Sequence, residues 1–147
     1  MEKKASERAV ELFHAHYNCA QSVYAASATG NGMSEQQRLA VSAAFGGGMA
    51  RRGEVCGALT GALMAIGEKR GTAMVDDPAA GRAALYAEAE AMMAKFREAN
   101  GAIHCRALTG CRLNTEEGQQ RFKELDLHEK LCSKLVAFAA AEVEKAN

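Results

Sequence analysis

The chain has 147 residues, enough for one domain, and a domain of that size buries roughly 68% of the surface its unfolded chain exposes, so it needs no disulfide staples. Its 18 Lys+Arg balance 18 Asp+Glu, which leaves no excess positive charge to draw it to phosphate backbones or anionic lipid and argues against nucleic acid as a partner. No segment reaches the roughly 18 consecutive apolar residues of a membrane span, so no membrane insertion is expected.

The opening segment, "MEKKASERAVELFHAHY", carries charge into its second turn and lacks the apolar core of a secretory signal, so a cytoplasmic location is expected. One proline (Pro78), many alanines and almost no alternating β-branched runs predict an all-α fold: a compact domain over 1–147 with about five to seven helices and a glycine-rich loop. The first helix is expected from about Lys4 to His16, with Ala9, Leu12, Phe13 and His16 on one face. Asn18 with Gln21 has capping-box spacing for a second helix, in which Cys19 is the first residue. The chain turns near Gly30-Asn31-Gly32, and Ser34 with Gln37 repeats the signature for a helix ending by Phe45.

"FGGGMARRGE" has too much backbone freedom for a helix and is expected as a loop leading into the helix of Cys56, which stops near Gly71. Gly57, Gly61 and Ala65 recur every four residues along that helix and make one side nearly smooth, open to close approach by another backbone or by a bulky inorganic group. Asp76, Asp77 and Pro78 mark the start of the longest helix, "AGRAALYAEAEAMMAKFREANG", which stops at Asn100-Gly101. "AIHCRALTGCRLN" is short and broken by Gly110, Thr115 opens a brief helix to about Leu125, and Asp126 with Glu129 is expected to cap the last helix through Cys132.

The five cysteines are then the main chemical feature. In a cytosolic setting thiols stay reduced, so five of them, an odd number, point to metal binding or redox chemistry rather than a disulfide framework. Cys19 and Cys56 fall in a first helical turn, Cys105 enters a short turn, and Cys132 lies early in the last helix; free N–H groups and partial positive charge at helix starts favour the thiolate. There is no C-x-x-C for a thioredoxin-type dithiol or a zinc knuckle, and no C-x-x-C-H for covalent haem. Taken singly, each cysteine is as well explained as a small core hydrophobe.

Four blocks, "YNCAQSV" (17–23), "FGGGMARRGEVCGALTGALM" (45–64), "HCRALTGCRLNTEEG" (104–118) and "EKLCSKLV" (129–136), resemble in this order the redox-active proteins named for a C…GCAxxG…C…C cysteine pattern. The resemblance runs from about Ala9 to the last helix. The family name places glycine before its second cysteine, whereas this chain reads Cys56-Gly57-Ala58-Leu59-Thr60-Gly61. The resemblance implies a small helical domain with a redox role, similar to the non-haem portion of split-Soret cytochromes, where an iron–sulfur cluster is implied. Carried over by position, the family cysteines are Cys19, Cys56, Cys105 and Cys132, with Cys111 an additional redox or resolving thiol.

Four thiolates suit an iron–sulfur cluster, and the same four could hold zinc. Metal-free thiol–disulfide exchange and a structural adaptor domain, with or without zinc, are the alternatives. The expected partner is another redox protein, and a homodimer is compatible with the sequence. Of the remaining candidates, His104 adjoins Cys105 but points about 100° away if both are helical; His14 and His16 suit a helix end; Arg51 and Arg52 could neutralise an anionic cluster. No paired carboxylates and no nucleophile–base motif suggest a conventional substrate-converting enzyme, and no catalytic residue is assigned.

Overall fold

The computed structural model describes residues 2–71 and 73–147, with the side chains of 73 and 74 left aside. Among these residues the architecture is helical: α1 (Ala5–His14), α2 (Cys19–Ser27), α3 (Glu35–Val41), α4 (Gly57–Arg70), α5 (Ala73–Asp76), α6 (Pro78–Asn100), α7 (Cys105–Thr109), α8 (Glu116–Glu124) and α9 (Ser133–Ala146). Two tighter or wider turns join them, a 3₁₀ turn at Ala43–Phe45 and a π turn at His128–Cys132. The all-α expectation holds.

Local chemistry sets most of the helix starts. Asn18 Oδ1 accepts from Gln21 N–H while Gln21 Oε1 accepts from Asn18 N–H, and the same reciprocal pair forms between Ser34 and Gln37. Asp77 caps α6 with Pro78 as its first residue, and Thr115 caps α8. Gly101 and Gly110, at φ +89° and +69°, end α6 and α7.

Three boundaries differ from expectation. The first helix ends at His14, and His16 turns left-handed at φ +78°. Its N–H donates to Phe13 O while Tyr17 N–H donates to Leu12 O, a Schellman closure that removes His16 from the helix face and steers the chain at once into Asn18 and Cys19. Helix α3 ends at Val41, where Ser42 Oγ donates to Arg38 O, and the 3₁₀ turn takes the chain to Phe45. Asp126 does not cap the last helix; it sits at φ +53° and its backbone carbonyl accepts from Lys130, while Glu129 reaches His14 instead.

The core lies where α1, α2, α4 and α9 meet, built from Ala9, Phe13, Val23, Leu59, Ala62, Val136 and Ala139, with α6 laid over α4. The smooth side of α4 packs on α2: a Cβ at Gly61 would stand 2.6 Å from Ala20 O, and one at Gly57 would stand 3.0 Å from Ala20 N. Only glycine permits this approach. Beside it, Arg38 and Glu68 form a bidentate pair (Nε–Oε1 3.1 Å, Nη2–Oε2 2.7 Å). Tyr24 Oη also donates to Glu68 at 2.6 Å, and Arg38 reaches Gly30 O. Every strong acceptor of this largely buried carboxylate is therefore used.

Candidate functional site: a cavity lined by four cysteines

Cys56 and Cys105 are brought together by backbone. Cys56 N–H donates to Ile103 O at 2.8 Å and Cys105 N–H donates to Glu54 O at 2.7 Å, with Val55 and His104 forming an isolated antiparallel bridge between them. Side chains alternate sides along such a ribbon. Cys56 and Cys105 therefore share one side and His104 points to the other, where it lines a separate surface depression with Arg106. That alternation removes His104 from the cysteine site.

Cys19 reaches the same place through α2. Its Cβ lies where a side chain on Gly57 would meet it at 3.1 Å, so the glycine face of α4 seats the start of α2 against the residue after Cys56. Cys132 comes from the π turn, in which Ser133 N–H donates to His128 O five residues back. Such widened turns recur at functional positions. The result is one half-open cavity of about 590 Å³ lined by Cys19, Cys56, Cys105 and Cys132.

Cys111 lies off the cavity wall, although close enough to Cys105 to help raise its thiol. It is 2% exposed, does not line the cavity, and is held by Thr109, whose hydroxyl accepts from Cys111 N–H while the thiol donates to Thr109 O. Of the other sequence candidates, Arg51 and His16 line the cavity, whereas His14, Arg52 and His104 do not. His128 also lines it, stacked on Phe13 with ring centroids 4.0 Å apart. Sequence reading passes over His128 because nothing near it in sequence marks it; its place depends on the long-range contact with Phe13.

The glycine-rich loop forms the remaining wall through Gly46, Gly47, Ala50 and Arg51. From Gly47 to Arg51 every residue has positive φ, and three of them, Met49 (+68°), Ala50 (+50°) and Arg51 (+69°), are not glycine. Left-handed backbone costs about 1–2 kcal/mol per residue with a Cβ. The loop is held by Arg51 N–H to Gly46 O, Glu54 N–H to Gly48 O, and Asn18 Nδ2 to Ala43 O. Gly48 presses against Cys105, where a Cβ would stand 2.8 Å from that of the cysteine. A strained turn kept by so many bonds is typical of a functional wall.

Burial, rather than helix position, governs the thiols. It pushes Cys56 up to about 12 against the opposing pull of the Ala58 and Leu59 amides, and pushes Cys105 up to about 11. A helix N-terminus is worth only about 0.3–1 kcal/mol, too little to offset desolvation here. The expectation of activated helix-start thiolates is thus reversed at these two positions. Cys132 is the exception: the adjacent Cys19 thiol lowers it, while Cys132 and burial together raise Cys19.

The chain belongs to the family described as "Putative redox-active protein (C_GCAxxG_C_C)", which it matches over residues 17–146. It is also similar to an uncharacterized protein of Archaeoglobus fulgidus, 30% identical over 114 residues that cover 70% of this chain and 72% of the relative. No solved structure matches. Among the described residues no helix is long and apolar enough to cross a membrane.

Proposed function

We infer that the cavity binds an iron–sulfur cluster through Cys19, Cys56, Cys105 and Cys132, and that the protein serves in electron transfer or redox sensing with another redox protein as partner. The observation that carries this reading is the convergence of four cysteines from four separate elements on one cavity that leaves out the fifth. The donor set fits: four soft sulfurs, with the Ala58 and Leu59 amides beside Cys56, suit iron–sulfide bonding and the hydrogen bonding that tunes it. Such a cluster, when bound, supplies one-electron chemistry.

Zinc fits less well. Among the described residues no group of three or more His, Cys, Asp or Glu side chains is arranged to hold a metal ion; the weight against zinc is instead that it would be redox-inert in a family described as redox-active. Metal-free exchange is less favoured at Cys56 and Cys105, whose thiols hold their protons far above neutrality while the thiolate is the attacking species, and would have to start at Cys132. A metal supplies the positive charge that removes those protons.

The test is purification without oxygen, with visible absorption, iron, zinc and acid-labile sulfide measured per chain. The expected result is a coloured protein with iron and sulfide that both disappear in Cys56→Ala and Cys132→Ala and persist in Cys111→Ala. A colourless, iron-free chain after anaerobic reconstitution with iron and sulfide would overturn it.

A further inference from the structure

The geometry points to a binding site for a small planar aromatic anion, an aromatic carboxylate or sulfonate, at the seam between the cysteine cavity and a second cavity beside it. This rests on the cluster reading only in that the ligand would lie next to the cluster.

The second cavity, of about 510 Å³, shares Arg51, Leu113, Phe122 and His128 with the first and contains no cysteine. Together they form a groove running from the thiols outward over α8. Their volumes each fall in the range of organic-ligand pockets, about 300–1,000 Å³. The inner wall is mostly apolar, and at the seam it offers the Phe122 ring and the imidazole of His128, stacked on Phe13. Flat rings offer π contact to a flat ligand.

Arg51 supplies the charge. The arginines that form ion pairs among the described residues are Arg8, Arg38 and Arg70, so Arg51 is uncommitted. It lines both cavities and is held there by the left-handed turn. A guanidinium presents a fork that matches a carboxylate or sulfonate. The outer cavity sets Lys123 against Glu116 and Asp126, a net negative lining apart from Arg51, so the anionic end belongs at Arg51 rather than farther out, with the aromatic end inward.

The experiment uses the anaerobically purified protein and two probes, naphthalene-2-sulfonate and uncharged 2-naphthol, with binding followed by titration and by amide chemical shifts. The expected result is saturable 1:1 binding of the sulfonate, with shifts at Leu113, Phe122 and His128 and markedly weaker binding of the naphthol. Arg51→Gln should weaken the sulfonate about tenfold, the loss of one charge-assisted contact, while Lys123→Gln should change it by no more than about twofold. No saturable binding, equal affinity in Arg51→Gln, or shifts confined to other surfaces would overturn the proposal. Iron and sulfide are measured on the same samples, so sulfonate binding without a cluster, or a cluster without sulfonate binding, shows which of the two readings fails.

Discussion

Gly57 stands against Cys19: a Cβ built on the glycine would lie 3.1 Å from the Cβ of the cysteine and 3.1 Å from Phe45 O. The residue after one site cysteine is therefore the floor under another. Four residues along the same face, Gly61 is tighter still, and the two contacts together fix how α2 and α4 present their thiols.

Gly61→Ala should accordingly damage both fold and site. In an exposed helix the change would gain about 1 kcal/mol of propensity, but here the new carbon would meet Ala20 O at 2.6 Å, a backbone atom that yields only if α2 moves. Overpacking against a backbone atom costs about 1–3 kcal/mol, so chemical denaturation should show a net loss of up to about 2 kcal/mol. Loading of the proposed cluster should fall in parallel, which a purely local strain would not cause.

The metal-free, reduced protein should lose stability in alkali. Cys56 and Cys105 are raised in the fold to about 12 and about 11, above the ordinary thiol range in the unfolded chain. Their stabilisation is present below the unfolded value and is lost as pH rises toward the folded one, because only the unfolded state releases protons there. Each thiol should contribute a slope of up to about 1.4 kcal/mol per pH unit from near pH 9 upward. Urea midpoints between pH 8 and 11 test this. The same linkage predicts proton release when iron or zinc is added near neutral pH.

The Arg38–Glu68–Tyr24 group should matter to the fold and not to the metal. Arg38 and Glu68 side chains are 10% and 14% exposed, and removing one partner of a buried pair costs about 3–5 kcal/mol. Glu68→Ala should therefore unfold far earlier in denaturant. Whatever folded protein remains should keep the iron-to-sulfide ratio of the parent, since these residues do not line the cysteine cavity.

Arg51→Gly separates stability from binding. Glycine relieves a left-handed residue worth about 1–2 kcal/mol and loses about 0.5–1 kcal/mol to greater freedom in the unfolded chain. The variant should be equal to or up to about 1.5 kcal/mol more stable than the parent, measured by thermal or urea unfolding. A less stable Arg51→Gly would mean that the guanidinium itself braces the loop.

Local chemistry accounts for the parts that sequence reading reached. Asn18–Gln21, Ser34–Gln37, Asp77–Pro78 and Thr115 act through bonds spanning three or four residues, so helix starts and the position of Cys19 at one of them were legible. Where a second local solution competed, expectation failed: His16 and Asp126 both took left-handed conformations, His16 because the Schellman closure satisfied the end of α1 better than another turn of helix. The left-handed run through Met49, Ala50 and Arg51 carries no sequence mark at its non-glycine members. It exists because the loop's own hydrogen bonds and the contact of Gly48 with Cys105 hold it.

The sequence by itself determined the helical class, most of the caps, the thiol inventory and, through its resemblance, which four cysteines to group. Their meeting at one cavity was decided by tertiary structure alone. The Glu54–Cys56 and Ile103–Cys105 segments pair across nearly fifty residues, α4 closes on α2 through Gly57 and Gly61, and His128 stacks on Phe13. Capping depends on neighbours three or four residues apart, whereas these contacts join residues tens apart in the chain, and their burial is also what overrides the helix-start effect on Cys56.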